Sequence, residues 1–368
     1  MDKFHIALGP DSLALGWPDG DRQDYPFLWL RDNDPAGWHP ETKERIADML
    51  SLPETPVASA ARMVDGGLEV TWADGPVSVF ALDWLGQYRP GRRNPDAAGP
   101  DPIVWDASLG DVPRHDADAV LTDDAALLAW LRDTLRYGAT VVEGLAQEEG
   151  AGLRLAERVG FLRQTNFGVS FQVRTKPDPN NLAYTSLGLP MHTDLPNQEL
   201  PPGIQFLHCI ANDATGGGSI LADGIALAEA LRERDPDSFR LLSTVAIPFR
   251  FHDTETDIRS RQTVINLDDL GHVHEIKWSS HLRDVFDMDP ALMPGFYRAW
   301  RAFLTLTEDP AYRVTFRLKA GDCMVFDNRR VLHGREPFDG ASGRRHLEGC
   351  YVDRGEFLSR IRVLSRAA

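Results

Sequence analysis

His192 and Asp194 stand two residues apart in Leu189-Pro-Met-His192-Thr-Asp194, and a third candidate, His333, ends the run Val331-Leu-His333. Side chains at i and i+2 of an extended segment point to one face, so this imidazole and carboxylate can close on a single ion. Two imidazoles and one carboxylate on one face of a metal leave three positions open, which is the donor set of non-haem iron(II) sites. Arg345 lies twelve residues beyond His333 and offers a planar cation that can hold a carboxylate through two parallel hydrogen bonds.

Elements able to place these groups can be read from periodicity and turn signals. Residues 4–8, 13–17, 27–31, 68–72 and 77–82 read as short strands of a small β-rich N-terminal domain, residues 1–90. A Pro/Gly/Arg-rich stretch, 91–117, reads as a linker, and 118–368 as the main domain. Within it, 122–138 has an N-cap, helical apolar spacing and a closing glycine, and a second helix is expected over 148–159. Further helices fall near 225–234, 237–244 and 290–305. Strands recur at 264–267 and 274–278, and a pair is expected at 312–318 and 323–327 across Lys319-Ala-Gly-Asp322. Many strands, few helices and a metal site among them predict a double-sheet jelly roll, mainly β with an α+β character.

Composition narrows the function classes. The chain has 368 residues and a formal net charge of -16, with no basic stripe to displace counterions from a nucleic acid, so nucleic-acid binding is excluded from the reading. No stretch approaches the roughly 18 apolar residues that span a bilayer, and no leader pattern opens the chain, so no membrane partner and a cytoplasmic location are expected. Cys209, Cys323 and Cys350 are far apart and sit in apolar runs, which suits reduced core thiols. Gly216-Gly-Gly218 lacks a following Lys-Ser/Thr, so it reads as a turn and not as a phosphate cradle, while His208 and His346 read as core residues.

Five motifs taken together carry a resemblance: His192-Thr-Asp194, Pro201-Pro-Gly-Ile-Gln-Phe-Leu-His-Cys209, Gly216-Gly-Gly-Ser-Ile-Leu-Ala-Asp-Gly224, Phe326-Asp-Asn-Arg-Arg-Val-Leu-His333-Gly-Arg335 and Arg345-His-Leu-Glu-Gly-Cys-Tyr351. In these the chain resembles the γ-butyrobetaine and trimethyllysine hydroxylases, within the taurine-dioxygenase-like Fe(II)/2-oxoglutarate oxygenases. The resemblance implies a double-stranded β-helix, Fe(II) held by His192, Asp194 and His333, and O₂ and 2-oxoglutarate as co-substrates. It places the distal carboxylate of 2-oxoglutarate on Arg345 with Ser219 as second donor, and it implies hydroxylation of an unactivated C–H bond. It also implies a trimethylammonium substrate in an aromatic cage of Phe167, Phe171, Tyr184 and Tyr351, since such a cation is best held by π faces. Asn181 matches the residue on the substrate's anionic end, and a homodimer is expected.

Departures from the family pattern shape two further expectations. Where the family's hydroxylases of γ-butyrobetaine carry an Asn-Asn pair, this chain reads Trp278-Ser279-Ser280-His281. Two hydroxyls and an imidazole suit a tetrahedral anion, so 2-(trimethylamino)ethylphosphonate is the favoured substrate, with γ-butyrobetaine and L-carnitine formation as the alternative. The family's N-terminal zinc ligands fall here at Asp34, Ala36, His39 and Pro76, too poor a set for tetrahedral zinc, so no structural zinc is expected. Two rivals from other classes are a non-catalytic betaine-binding protein, against which the intact triad and Arg345 speak, and a metallohydrolase, for which no positioned general base is evident.

Overall fold

A computed structural model describes residues 4–99, 101–174 and 185–367. Asn181 and Tyr184 lie outside the described residues. The chain divides into two compact units, residues 1–96 and 97–368.

The first unit holds two three-stranded antiparallel sheets, His5–Leu8, Ser12–Gly16 and Arg22–Pro26, and Ala58–Val64, Gly67–Trp72 and Val77–Ala81. Leu13, Leu15, Tyr25, Leu68, Val70, Trp72 and Phe80 are buried together between them. Residues 27–31, expected as a strand, form the helix Phe27–Asp32 instead. Phe27 and Leu30 are the buried pair, three apart, so the apolar run serves one helical face and not alternate strand faces. At the positions of the family's zinc ligands, Asp34 accepts hydrogen bonds from the Ser78 hydroxyl and from the Ala36 N–H. His39 Nδ1 accepts from the N–H of Thr42 at 3.1 Å. Asp34 thus ties its loop to the strand Val77–Ala81, and His39 serves its own turn.

In the second unit two sheets face each other. The larger runs in the order Arg114–Asp116, Ala139–Glu143, Cys323–Asp327, Ile204–Asn212, Arg345–Val352, Ser170–Val173, and the smaller in the order Leu189–His192, Val331–Arg335, Ser219–Asp223, Val314–Phe316. Phe326, Leu207, Cys209, Met324 and Leu347 from the larger sheet pack on Leu221, Val314 and Val331 from the smaller. The stretch 91–117 contributes Ala98, Trp105 and Val112 to buried clusters of this unit. Helices Asp124–Tyr137, Ala151–Glu157 and Arg354–Ala367 are apolar toward the outer face of the larger sheet, burying Leu127, Trp130, Leu155, Phe357 and Ile361 against Phe206, Val325 and Val352. The first starts and stops as its sequence dictates: Asp123 accepts from the N–H groups of Ala125 and Ala126, and Gly138 ends it at φ +77°, a conformation that costs glycine least. A second helical layer, Gly224–Arg234, Pro236–Thr244 and Met293–Glu308, buries Leu227, Phe239, Phe296 and Trp300 with Met191 and Leu332 of the smaller sheet.

The expected hairpin at 312–318 and 323–327 does not form. Val314–Phe316 pairs with Ser219–Asp223 in the smaller sheet, whereas Cys323–Asp327 pairs with Ile204–Asn212 and Ala139–Glu143 in the larger. The turn between them carries the chain from one sheet to the other, with Gly321 at φ +92° and the Asp322 carboxylate accepting the Lys319 N–H. Cys209, Cys323 and Cys350 are buried and free. Among the described residues no helix is long and apolar enough to cross a membrane.

Candidate active site

The smaller sheet brings the two histidines together. Leu189–His192 and Val331–Arg335 are antiparallel, His192 stands directly opposite His333, and their ring centroids lie 4.1 Å apart. Asp194 lies past the strand end in a bend, so the strand alternation expected to align it with His192 is not what places it. It is held by its backbone. Asn328 accepts the Asp194 N–H at 2.6 Å and donates to the carbonyls of Asp194 and Pro202 at 3.0 and 3.1 Å, while Thr193 exchanges hydrogen bonds with the backbone of Trp278. Leu195 then turns the chain away at φ +56°.

So held, Asp194 Oδ1 lies 3.2 Å from His192 Nε2 and 3.7 Å from His333 Nε2. Among the described residues, these three are the one group of His, Cys, Asp or Glu side chains whose ligand atoms, all within 4.8 Å of one another, could hold a metal ion. Protonation favours the same use. Burial pushes the Asp194 carboxyl up, but the adjacent His333 and His192, with a hydrogen bond from Tyr351, outweigh it and hold the group below the usual carboxylate range. Burial, then the neighbouring His192, pull His333 down to about 3, so its imidazole is neutral. His192 Nδ1 donates to the Pro190 carbonyl at 2.8 Å, which fixes the tautomer and leaves Nε2 as the free lone pair.

The larger sheet supplies the rest. Tyr351 gives its hydroxyl to Asp194 Oδ2 at 2.7 Å, and its ring lies 5.3 Å from that of Phe171. Phe171 seats over Gly349, where a Cβ would come within 2.3 Å of the ring. At the other end of the strand Arg345 is largely sheltered, its Nε buried without a partner, and burial draws its pKa down to about 10, still protonated at neutral pH. Gly217 lets it pass, since a Cβ there would lie 3.1 Å from Nε. Ser219 is buried directly opposite Arg335, another sheltered guanidinium drawn down to about 10 by burial and by Arg345.

A model of the taurine catabolism dioxygenase TauD/TfdA family matches residues 103–351, more than half of the chain. A γ-butyrobetaine dioxygenase from Pseudomonas sp. (strain AK-1) is 44% identical over 360 residues, 96% of this chain and 94% of that protein. The mitochondrial trimethyllysine dioxygenase of Gallus gallus is 30% identical, over 98% of this chain and 90% of its own. The chain belongs to the γ-butyrobetaine and trimethyllysine dioxygenase family. In fold, this dioxygenase is also similar to a taurine dioxygenase from Burkholderia xenovorans, with a TM-score of 0.51, 15% identity, and 68% and 89% of the two chains covered.

The dioxygenase is therefore an oxidoreductase of the Fe(II)- and 2-oxoglutarate-dependent class, with a double-stranded β-helix fold. Its residues fit those groups. Two imidazoles and a carboxylate are the donors a divalent ion requires, and a buried guanidinium nitrogen without an acceptor, at Arg345, fits an anionic co-substrate.

Of the other residues singled out in the sequence, the structure brings some to the triad and not others. His281 lies in an open position with its ring 5.0 Å from that of His192. Ser279 is fully buried and its Oγ accepts the Leu282 N–H, so it faces the local turn, while Ser280 is exposed. Phe167 packs edge-on against Phe251 at 5.3 Å. Sequence reasoning placed Tyr351 only in a cage and did not foresee its bond to Asp194. It also gave Thr193 and Trp278 no part in positioning the carboxylate, and no local signal marks them.

Proposed function

We propose that this dioxygenase hydroxylates γ-butyrobetaine to L-carnitine. The observation that carries the reading is the 44% identity, over nearly the whole chain, to the Pseudomonas γ-butyrobetaine dioxygenase. The aromatic pair of Phe171 and Tyr351 beside the triad supports a trimethylammonium substrate, because a cation that donates no hydrogen bonds is best held by π faces. Phe167, with Tyr184 and Asn181 outside the described residues, belongs to the same reading. The phosphonate, the substrate favoured from the sequence, leaned on Ser279, Ser280 and His281; Ser279 is fully buried in its own turn, where its Oγ accepts the Leu282 N–H, and Ser280 is exposed, which gives that clamp little support.

In this reading His192, Asp194 and His333 hold Fe(II), and Arg345 with Ser219 holds the distal carboxylate of 2-oxoglutarate. Bound there, iron supplies the reduction of O₂ that converts 2-oxoglutarate to succinate and CO₂ and places one oxygen atom in a substrate C–H bond. The chain's own part is positioning. Tyr351 occupies Asp194 Oδ2 and so leaves Oδ1 toward the imidazoles, Asn328 fixes the Asp194 backbone, and Pro190 fixes the His192 tautomer. We include a homodimer and a cytoplasmic location; the three buried free thiols support a reducing compartment.

The test is turnover with Fe(II) and 2-oxoglutarate on γ-butyrobetaine and, separately, on 2-(trimethylamino)ethylphosphonate, with succinate and product mass as readouts. Product sixteen mass units heavier than γ-butyrobetaine, with stoichiometric succinate, is the expected result. Product from the phosphonate alone would overturn the assignment and return Ser280 and His281 to the head group.

A further inference from the structure

The two histidines of the triad differ in one respect. His192 Nδ1 has the Pro190 carbonyl as acceptor, whereas His333 Nδ1 is buried with no hydrogen-bond partner. With Nε2 turned to the metal side, Nδ1 of His333 carries the proton, and a buried N–H without an acceptor costs about 1–3 kcal/mol. A metal-ligating histidine ordinarily donates that second N–H to a fixed group.

A second buried orphan lies on the larger sheet. Gln205 stands directly opposite both Phe326 and Tyr351 in the larger sheet. Directly opposite residues share a face, and that face is the one on which Tyr351 reaches Asp194 and the Phe326 ring packs 4.7 Å from His333. Gln205 is 2% exposed, and its Oε1 is buried without a donor. An unpaired acceptor and an unpaired donor thus flank the same phenylalanine.

We infer that Gln205 is a positioning residue for the metal site, orienting His333 through one buried water that accepts from Nδ1–H and donates to Gln205 Oε1. Buried waters join such groups in protein interiors. Gln205 in this role holds the imidazole plane and tautomer and raises its basicity, as the Pro190 carbonyl does for His192. The inference rests on His333 being an iron ligand.

The experiment titrates metal-free protein with Co(II) and with anaerobic Fe(II), reading cobalt absorption and tryptophan fluorescence, for wild type, Gln205→Leu and Gln205→Glu. Gln205→Leu is expected to weaken metal binding about 10- to 100-fold with the folded state retained, as read by circular dichroism. Gln205→Glu, which keeps an acceptor, is expected to stay within about threefold of wild type in metal affinity. Leucine binding metal as wild type does, or glutamate losing as much as leucine, overturns the role of Gln205. Failure of wild type itself to bind either metal would instead overturn the iron reading. A crystal structure of the wild-type protein checks the geometry independently: a water within hydrogen-bond reach of both atoms is expected, and a carboxamide turned away from His333 with no such water refutes it.

Discussion

Replacing Tyr351 by phenylalanine separates two jobs that one side chain performs. The hydroxyl bonds Asp194 Oδ2 at 2.7 Å, and the ring packs tilted against Phe171 with centroids 5.3 Å apart. Phenylalanine keeps the second and deletes the first. A hydrogen bond to a charged group contributes about 1.5–3 kcal/mol, and Tyr351 is buried, but the Asp194 side chain is 19% exposed, so water can replace part of the lost bond. The lower half of that range applies, which at about 1.4 kcal/mol per decade is roughly a 10- to 40-fold loss of Fe(II) affinity. The assay is anaerobic titration of metal-free protein with Fe(II) or Mn(II), followed by steady-state kinetics at saturating iron. Metal affinity should fall while the KM for the trimethylammonium substrate stays within about threefold of wild type, the ring face being a sequence-tolerant π surface. Metal affinity within twofold of wild type would refute the argument. So would a substrate KM that rises as far as the metal constant, because the hydroxyl would then be acting on the substrate.

Gly349→Ala should do the opposite, since its Cβ would fall 2.3 Å from Phe171 and displace the ring: substrate KM is expected to rise roughly 5- to 30-fold, with Mn(II) affinity unchanged. Asn328→Ala removes three hydrogen bonds from a residue 1% exposed and should cost about 2–4 kcal/mol in urea denaturation, with weaker metal binding as well. The three thiols should resist a disulfide reagent at pH 8 until denaturant is added, because burial pushes Cys209 up to about 12 and Cys323 and Cys350 up as well. Their folded pKa values are raised, so the stability they contribute is full below the unfolded value near 9 and is lost as pH rises toward 12; Tm measured from pH 8 to 11 should fall accordingly.

The convergence of His192, Asp194 and His333 was legible in the sequence because these residues ride on motifs read as a set, and the long helix Asp124–Tyr137 because cap, period and closing glycine agree. Residues 27–31 misled because a short apolar run fits either period, and only the pairing of Phe27 with Leu30 in the core decides for a helix. The turn at Lys319-Ala-Gly-Asp322 carries the same signal whether its strands pair or cross between sheets. The hydroxyl of Ser279 alone points to a substrate anion, yet Trp278 beside it packs at 4.0 Å on Trp300 and draws Ser279 inside, while Ser280 and His281 stay exposed. What the Tyr351 hydroxyl touches depends on a residue 157 positions away, and no local pattern contains that.

The strand Arg345–Val352 explains how the two sheets act as one site. Arg345, Leu347, Gly349 and Tyr351 alternate onto its inner face, so a single strand presents a cation at one end, a gap that admits Phe171 in the middle, and at the other end the hydroxyl that meets Asp194 across the barrel. Its register against Ile204–Asn212 is continuous from Val352 to Leu347 and shifts between Leu347 and His346, where Cys209 gives way to Ala211. A bulge at that point re-aims the side chains beyond it without disturbing those before. Arg345, beyond the shift, and Tyr351, before it, can therefore be placed independently of one another along a single strand.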